Sequence, residues 1–254
     1  MLVIKNLVTL AVSVAVTILL LMLNMPWGWL FAVIGLIFAA FGVQLVFVVG
    51  KEIRRPFLMA LLWNPLLFLS SIIFLSLLLE SYPLRFLLAV LGGLANAVYF
   101  TYLFFFLYVP SRYEPHALER MSRYLVLFTI FGWSSGLFSL RIFLSLPVWL
   151  LALIFLVIIW LLLTQVFWIS KLTTRKILTL STLSAIILTE LFIALIYLPA
   201  SFYVNGAILT VVAYWLLDLL TLPASATPKT KQARQAGFVA ALLVLIVILS
   251  APWR

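Results

Sequence analysis

Residues 147–169 read PVWLLALIFLVIIWLLLTQVFWI, a run of 23 residues without a charged side chain. As an α-helix this run would be about 35 Å long at 1.5 Å per residue. The hydrocarbon core of a bilayer is about 30 Å thick, so the run is long enough to cross it. We therefore predict a transmembrane helix here and ask whether the rest of the chain agrees.

The composition agrees with a membrane location. Of the 254 residues, 67% are hydrophobic and only 9% are charged, whereas soluble domains carry about 25% charged residues. The chain has no cysteine and a single histidine, His116. Thiolate nucleophiles, iron–sulfur clusters, cysteine-ligated zinc and multi-histidine metal or haem sites are therefore excluded within this chain. We expect an integral membrane protein with no cofactor and no metal.

Further apolar runs of about 17–25 residues, the length of a spanning helix, divide the whole chain. The expected fold class is an all-α integral membrane protein, a polytopic bundle of about nine transmembrane helices forming a single domain over residues 1–254. The first, fifth and ninth runs are short, which leaves an interpretation with eight spans open. The predicted spans are Leu7–Leu23, Trp27–Val49, Phe57–Leu79, Leu84–Tyr108, Tyr124–Leu140, Pro147–Ile169, Ile177–Leu198, Phe202–Leu222 and Gly237–Trp253.

The basic residues predict the orientation of the chain. With nine crossings, 13 of the 16 Lys and Arg residues fall on the side of the amino terminus, and only Arg85, Arg141 and Arg254 fall on the other. Because short cytoplasmic loops are enriched in Lys and Arg, the amino terminus is expected in the cytoplasm and the carboxyl terminus outside. The expected location is the plasma (inner) membrane of a prokaryote.

The net charge of +10 bears on partners. The basic residues fall in short groups between apolar runs, which favours the anionic headgroups of the cytoplasmic leaflet as their partner. Nucleic acid is not expected, because it requires basic residues clustered on a folded surface.

The segment Glu114–Arg123, EPHALERMSR, has a pattern of its own. Pro115 suits the first position of a helix, and Leu118, Met121 and Leu125 share one face. We predict a short interfacial helix over residues 114–123 that runs into the fifth span. Its charged face could instead dock a soluble protein.

Small residues on the second span predict how the helices pack. They recur at steps of 4, 3, 4 and 3, which keeps them on one face. In lipid, small residues let helices approach closely, and the first span, joined by a short turn, is the expected partner. Gly35→Leu is then expected to abolish folding or to lower the stability in detergent sharply, while Leu36→Phe, on another face, is tolerated. The five residues are Gly28, Ala32, Gly35, Ala39 and Gly42.

Glu190 is the most unusual residue in a span, since it interrupts residues 179–198, TLSTLSAIILTELFIALIYL. It is expected about 20 Å from the cytoplasmic end of its helix. An ionisable group at such a depth costs roughly 2.5–3.5 kcal/mol on insertion scales unless it is paired or solvated. We therefore expect Glu190 to face the bundle and to meet Asn205 and Arg141 in a polar pocket in the outer half of the membrane. That pocket is either a binding or proton-coupling site or a structural hydrogen-bond cluster.

Other polar residues inside the spans are weaker site candidates. Asp218 is expected about 6 Å from the cytoplasmic end of its helix, within reach of headgroup water. Asn96 is expected to form a hydrogen bond to a neighbouring helix, and the same expectation applies to three further side chains. These are Gln44, Asn64 and Gln165.

Residues 132–136, GWSSG, match the G-x-S-x-G nucleophile elbow in form. That motif works on a strained turn between a strand and a helix, with a base nearby. Here it lies inside a predicted helix, and the one histidine is in a loop. We interpret its glycines as packing residues and assign no catalytic residue.

Three functions are compatible with the sequence. A non-enzymatic, membrane-embedded structural or accessory subunit fits the low polar content best, and its partner would be another membrane protein or a second copy of the chain. A small transporter or a flippase for lipids or amphiphiles would use the outer pocket around Glu190. An intramembrane enzyme is the third hypothesis.

Overall fold

A computed structural model of the protein describes residues 2–22, 27–49, 56–109, 117–170, 173–221 and 237. These residues form eight α-helices, with no strand in the described ranges, so the all-helical prediction is confirmed. The ninth predicted span, Gly237–Trp253, lies outside the described residues except for Gly237. The helices are α1 (Leu2–Leu21), α2 (Trp27–Val49), α3 (Pro56–Leu78), α4 (Tyr82–Tyr108), α5 (Ala117–Leu144), α6 (Val148–Ile169), α7 (Thr174–Ile196) and α8 (Phe202–Thr221).

Six of these helices, α2 and α4 to α8, are long and apolar enough to cross a membrane. The apolar parts of α1 and α3 are shorter, Val8–Leu21 and Trp63–Leu78. Length and composition of the six helices identify the chain as an integral membrane protein, since a spanning helix needs about 20 mostly apolar residues. The predicted bounds of the first eight spans agree with the helices to within a few residues, except at the start of α1 and at both ends of α5.

The start of α5 differs from the prediction. The predicted interfacial helix is, from Ala117 onward, the first part of a continuous helix of 28 residues. Residues 114–116 lie outside the described ranges. Leu118, Ser122 and Leu125 are buried, and the Ser122 carbonyl accepts a hydrogen bond of 3.1 Å from Asn64 Nδ2 on α3. These side chains pack against protein, and the segment runs into α5 without a break.

The helices divide into two compact units, Met1–Val126 and Leu127–Arg254, and α5 belongs to both. In the first unit, α1 packs against α2 and α4, and α3 packs against α4. Two helices approach closely at Gly93 of α4, where an added Cβ would lie 2.7 Å from the Cβ of Thr17 on α1. Gly92 is similarly close to Ile72 of α3, at 3.3 Å from its Cγ1. The glycines of α4 thus allow the tight packing in this unit.

The small-residue stripe of α2 is not part of that packing, which corrects the prediction. Ala32, Gly35 and Ala39 are exposed and Gly42 is half-exposed, and a Cβ added at Gly35 or Gly42 would meet nothing within 4 Å. Of Gly28, only the helical backbone is described. The face of α2 that is buried instead carries larger side chains, which bury more apolar surface than the small residues would. Close approach to α1 is already provided by Gly93 of α4. The buried residues of α2 are Leu30, Val33, Ile37, Phe41, Gln44 and Val48.

The second unit is organised around a stack of three aromatic rings. Phe192 of α7 lies between Phe138 of α5, at a centroid distance of 4.5 Å, and Phe155 of α6, at 4.6 Å. The α8 helix approaches α5 at Gly206, where an added Cβ would lie 3.2 Å from Ser134 Oγ. Offset stacking of this kind adds about 0.5–1.5 kcal/mol per pair beyond the area that the rings bury. The stack therefore sets the rotation of α7.

Candidate functional site

Glu190 is exposed on the outer surface of α7. Among the described residues it has no hydrogen-bond or ion-pair partner. The expectation that Glu190 faces the bundle is therefore wrong for this structure. The reason is the aromatic stack: Glu190 precedes Phe192 by two residues, which places it about 200° away around the helix. With Phe192 fully buried, Glu190 must point outward.

The depth of Glu190 makes that exposure costly in a membrane. It lies six residues before the end of α7 at Ile196, or about 9 Å along the helix axis. A carboxylate side chain is too short to cover that distance. Glu190 therefore lies well inside the apolar length of α7, on a face that the other described residues leave uncovered.

Arg141 and Asn205 do come together, in a cavity of about 410 Å³ at the ends of α5, α7 and α8. Glu190 does not line it, so the predicted three-residue pocket contains two of its three members. Most of the lining is apolar. The lining residues are Phe138, Arg141, Ile142, Phe143, Ile196, Leu198, Pro199, Ala200, Ser201, Phe202 and Asn205.

Arg141 is half-buried at the mouth of this cavity and stabilises the turn after α5. Its Nη1 donates hydrogen bonds to the carbonyls of Leu146, at 2.8 Å, and Ser145, at 3.5 Å. Ser145 has a φ of 52°, a left-handed conformation that few non-glycine residues adopt. The remaining N–H groups of the guanidinium have no partner among the described residues, so they are available to an anion.

Asn205 is 4% exposed and connects α8 to the end of α7. Its Nδ2 donates to the Leu195 carbonyl at 3.0 Å, which also accepts from the Leu198 N–H at 3.1 Å. Its Oδ1 is fully buried and has no hydrogen-bond partner in the described part of the chain. The cavity thus combines a cation with mostly apolar walls.

The weaker candidates lie elsewhere. Asp218 is half-exposed near the end of α8 and does not line the cavity. Asn96 is fully buried in the first unit, where its Nδ2 donates to Gln44 Oε1 at 3.1 Å. Gln44 Nε2 in turn donates to Ser13 Oγ at 2.7 Å and to the Thr9 carbonyl at 3.3 Å. Asn96 therefore belongs to a hydrogen-bond cluster that joins α1, α2 and α4.

Sequence reasoning predicted the interhelical bonds of these amides individually but missed the cluster. The signal was present, because Ser13, Gln44 and Asn96 are polar residues within apolar runs. The expectation is confirmed for Gln44, Asn64 and Asn96. It is wrong for Gln165, which is 1% exposed and whose two side-chain polar atoms have no partner among the described residues.

The GWSSG segment lies inside α5, as predicted. Ser134 is fully buried, and its hydroxyl donates to the Phe131 carbonyl of its own helix at 3.1 Å. Ser135 is also buried, and it packs against Gly206 of α8. This environment supports a packing role for the segment.

No group of three or more His, Cys, Asp or Glu side chains in the described ranges is arranged to hold a metal ion. Comparisons of the chain with protein-family models, with curated proteins and with solved structures gave no match. The function must therefore follow from the chemistry of the residues described above.

Proposed function

We propose that this protein is a non-enzymatic, membrane-embedded subunit that associates with another membrane protein through the outward face of α7. The observation that carries the proposal is the exposed Glu190, which has no partner in the described part of the chain and lies about 9 Å from the end of its helix. A group of this kind is costly against lipid. A donor or cationic side chain on a partner helix at the same depth would offset that cost.

The surface around Glu190 is suited to a helix. Thr179, Leu183 and Ile186 are exposed and lie within about 40° of Glu190 around α7. They contribute to a shallow groove along one side of the helix. A partner helix in this groove would bury Leu183 and Ile186 while its polar side chain reaches Glu190. The Thr179 hydroxyl, which donates to the Arg175 carbonyl at 2.9 Å, would be available to accept a further hydrogen bond from that helix.

The small-residue stripe of α2 supports the same interpretation independently. Ala32, Gly35 and Ala39 are exposed on a helix of membrane-spanning length. Exposed small residues at steps of three and four are typical of faces that pack closely against another helix in lipid. Both units thus carry an outward surface that a partner would cover.

A transporter in which Glu190 couples to the cargo is less well supported, because Glu190 does not line the cavity that contains Arg141 and Asn205. No observation favours an intramembrane enzyme. The subunit function remains the one that accounts for the position of Glu190.

We expect Glu190→Leu to separate the protein from its partner without lowering its own stability. Leucine removes an uncompensated carboxylate from an apolar surface, so the thermal stability of the purified protein should be unchanged or higher. The native mass of the tagged protein, extracted from its own membrane in mild detergent, should fall to that of the chain alone. Glu80→Leu, at an exposed acid in the turn between α3 and α4, is the matched control and should keep the larger mass. A wild-type protein that extracts only as the single chain would exclude the proposed function.

A further inference from the structure

We propose that the cavity at the ends of α5, α7 and α8 binds a phospholipid. The lipid phosphate would contact Arg141, and the apolar part of the lipid would lie against the walls of the cavity. This inference is independent of the proposed subunit function, because Glu190 does not line the cavity.

The anionic part of the ligand follows from Arg141. Its Nη1 is held by the carbonyls of Leu146 and Ser145, which fixes the direction of the guanidinium. The other N–H groups have no partner among the described residues. A planar guanidinium whose Nε–Nη2 edge is free is suited to a phosphate or carboxylate oxygen pair.

The second part of the ligand follows from the rest of the lining. Asn205 Oδ1 is fully buried, so a ligand in the cavity does not reach it. Beside Arg141 the lining is mostly apolar, which favours a ligand that carries its anionic group on an apolar body.

The third part follows from the walls and the position of the cavity. Phe138, Phe143 and Phe202 contribute aromatic surface, and Phe143 and Phe202 pack edge to face at 6.2 Å. The cavity lies where three helices end, and the nearby Trp149 and Tyr197 are exposed. Trp and Tyr are enriched at the level of the headgroups. A volume of about 410 Å³ accommodates a headgroup and the start of an acyl chain, while the rest of the chain lies on the apolar surface.

The test is a lipid titration of the purified, delipidated full chain by native mass spectrometry, with phosphatidylglycerol as the probe. We expect Arg141→Gln to weaken binding by about tenfold or more, the size expected for loss of one hydrogen bond to a charged group. Arg85→Gln is the matched control and should bind as the wild type does. Arg85 is also half-buried at a helix end on the predicted outer side, where its Nε donates to the Leu79 carbonyl.

A second variant keeps the proposal testable if Arg141→Gln does not fold. Ala200→Phe fills the cavity but leaves Arg141 and Asn205 intact, and it should weaken lipid binding by a similar factor.

Two further probes distinguish the sources of the anion. Diacylglycerol, which lacks the phosphate, should bind at least about tenfold more weakly, and inorganic phosphate at millimolar concentration should not displace the lipid. Equal binding of diacylglycerol, displacement by inorganic phosphate, or equal losses in Arg141→Gln and Arg85→Gln would each overturn the proposal.

Discussion

Gly93→Leu is expected to prevent the first unit from folding. A Cβ at this position would lie 2.7 Å from the Cβ of Thr17 and closer still to its hydroxyl, and leucine adds three more carbon atoms. Thr17 cannot turn away easily, because its hydroxyl donates to the Ser13 carbonyl at 2.9 Å. Overpacking of a filled core costs about 1–3 kcal/mol and occasionally more. The measurement is the yield of folded protein in detergent and its midpoint of unfolding.

Gly35→Leu is the matched control for this prediction. It makes the same substitution on a membrane helix, but at a position where an added Cβ meets nothing within 4 Å. The unfolding midpoint of the purified chain should stay close to that of the wild type. If Gly35→Leu unfolds the chain and Gly93→Leu does not, the faces of α2 and α4 are assigned the wrong way round.

Gln44→Leu is expected to lower the free energy of unfolding by about 1–2 kcal/mol, between the values for an interhelical hydrogen bond in lipid and for a buried group left unpaired. Gln44 bridges α1 and α4 through hydrogen bonds to Ser13, the Thr9 carbonyl and Asn96. Its loss leaves the Asn96 amide fully buried without its only described partner. The double substitution Gln44→Leu with Asn96→Leu should be less destabilised than the sum of the two single changes.

Gln165→Leu is a control for Gln44→Leu, because we expect it not to lower the stability. Gln165 is equally buried, but both of its side-chain polar atoms are unpartnered among the described residues. Leucine of similar volume removes that desolvation cost, so the unfolding midpoint should be unchanged or higher. A loss of stability at Gln165 as large as the loss at Gln44 would contradict the different roles assigned to these two amides.

The positions of the helices could be predicted from the sequence because they depend on local features. The predicted span Pro147–Ile169 corresponds to α6, Val148–Ile169, with Pro147 as its extended N-cap residue. The predicted proximity of Arg141 and Asn205 also holds. Both residues lie near helix ends that are predicted on the same side of the membrane. Because successive helices cross in opposite directions, these ends are expected at the same depth.

The rotation of the helices could not be predicted in the same way. In a soluble protein, polar residues mark the outer face of a helix. In α2 and α7 the outward face is mostly apolar, so hydropathy does not distinguish it from the inward face. The small-residue stripe of α2 and the carboxylate of Glu190 were both expected to face protein of this chain, and both are exposed. Contacts distant in sequence, such as the stack of Phe192 on Phe138 and Phe155, decide the rotation instead.

The central claim is that a partner protein covers Glu190, and photo-crosslinking in the native membrane tests it most directly. A photoreactive phenylalanine derivative would replace Ile186, which is exposed one turn before Glu190, and Leu153, exposed on α6, would serve as the control position. We predict one discrete adduct with a second polypeptide at position 186, absent at position 153 and lost when Glu190 is changed to leucine. Crosslinks to lipid alone at position 186, or a protein adduct that persists after Glu190→Leu, would contradict the claim.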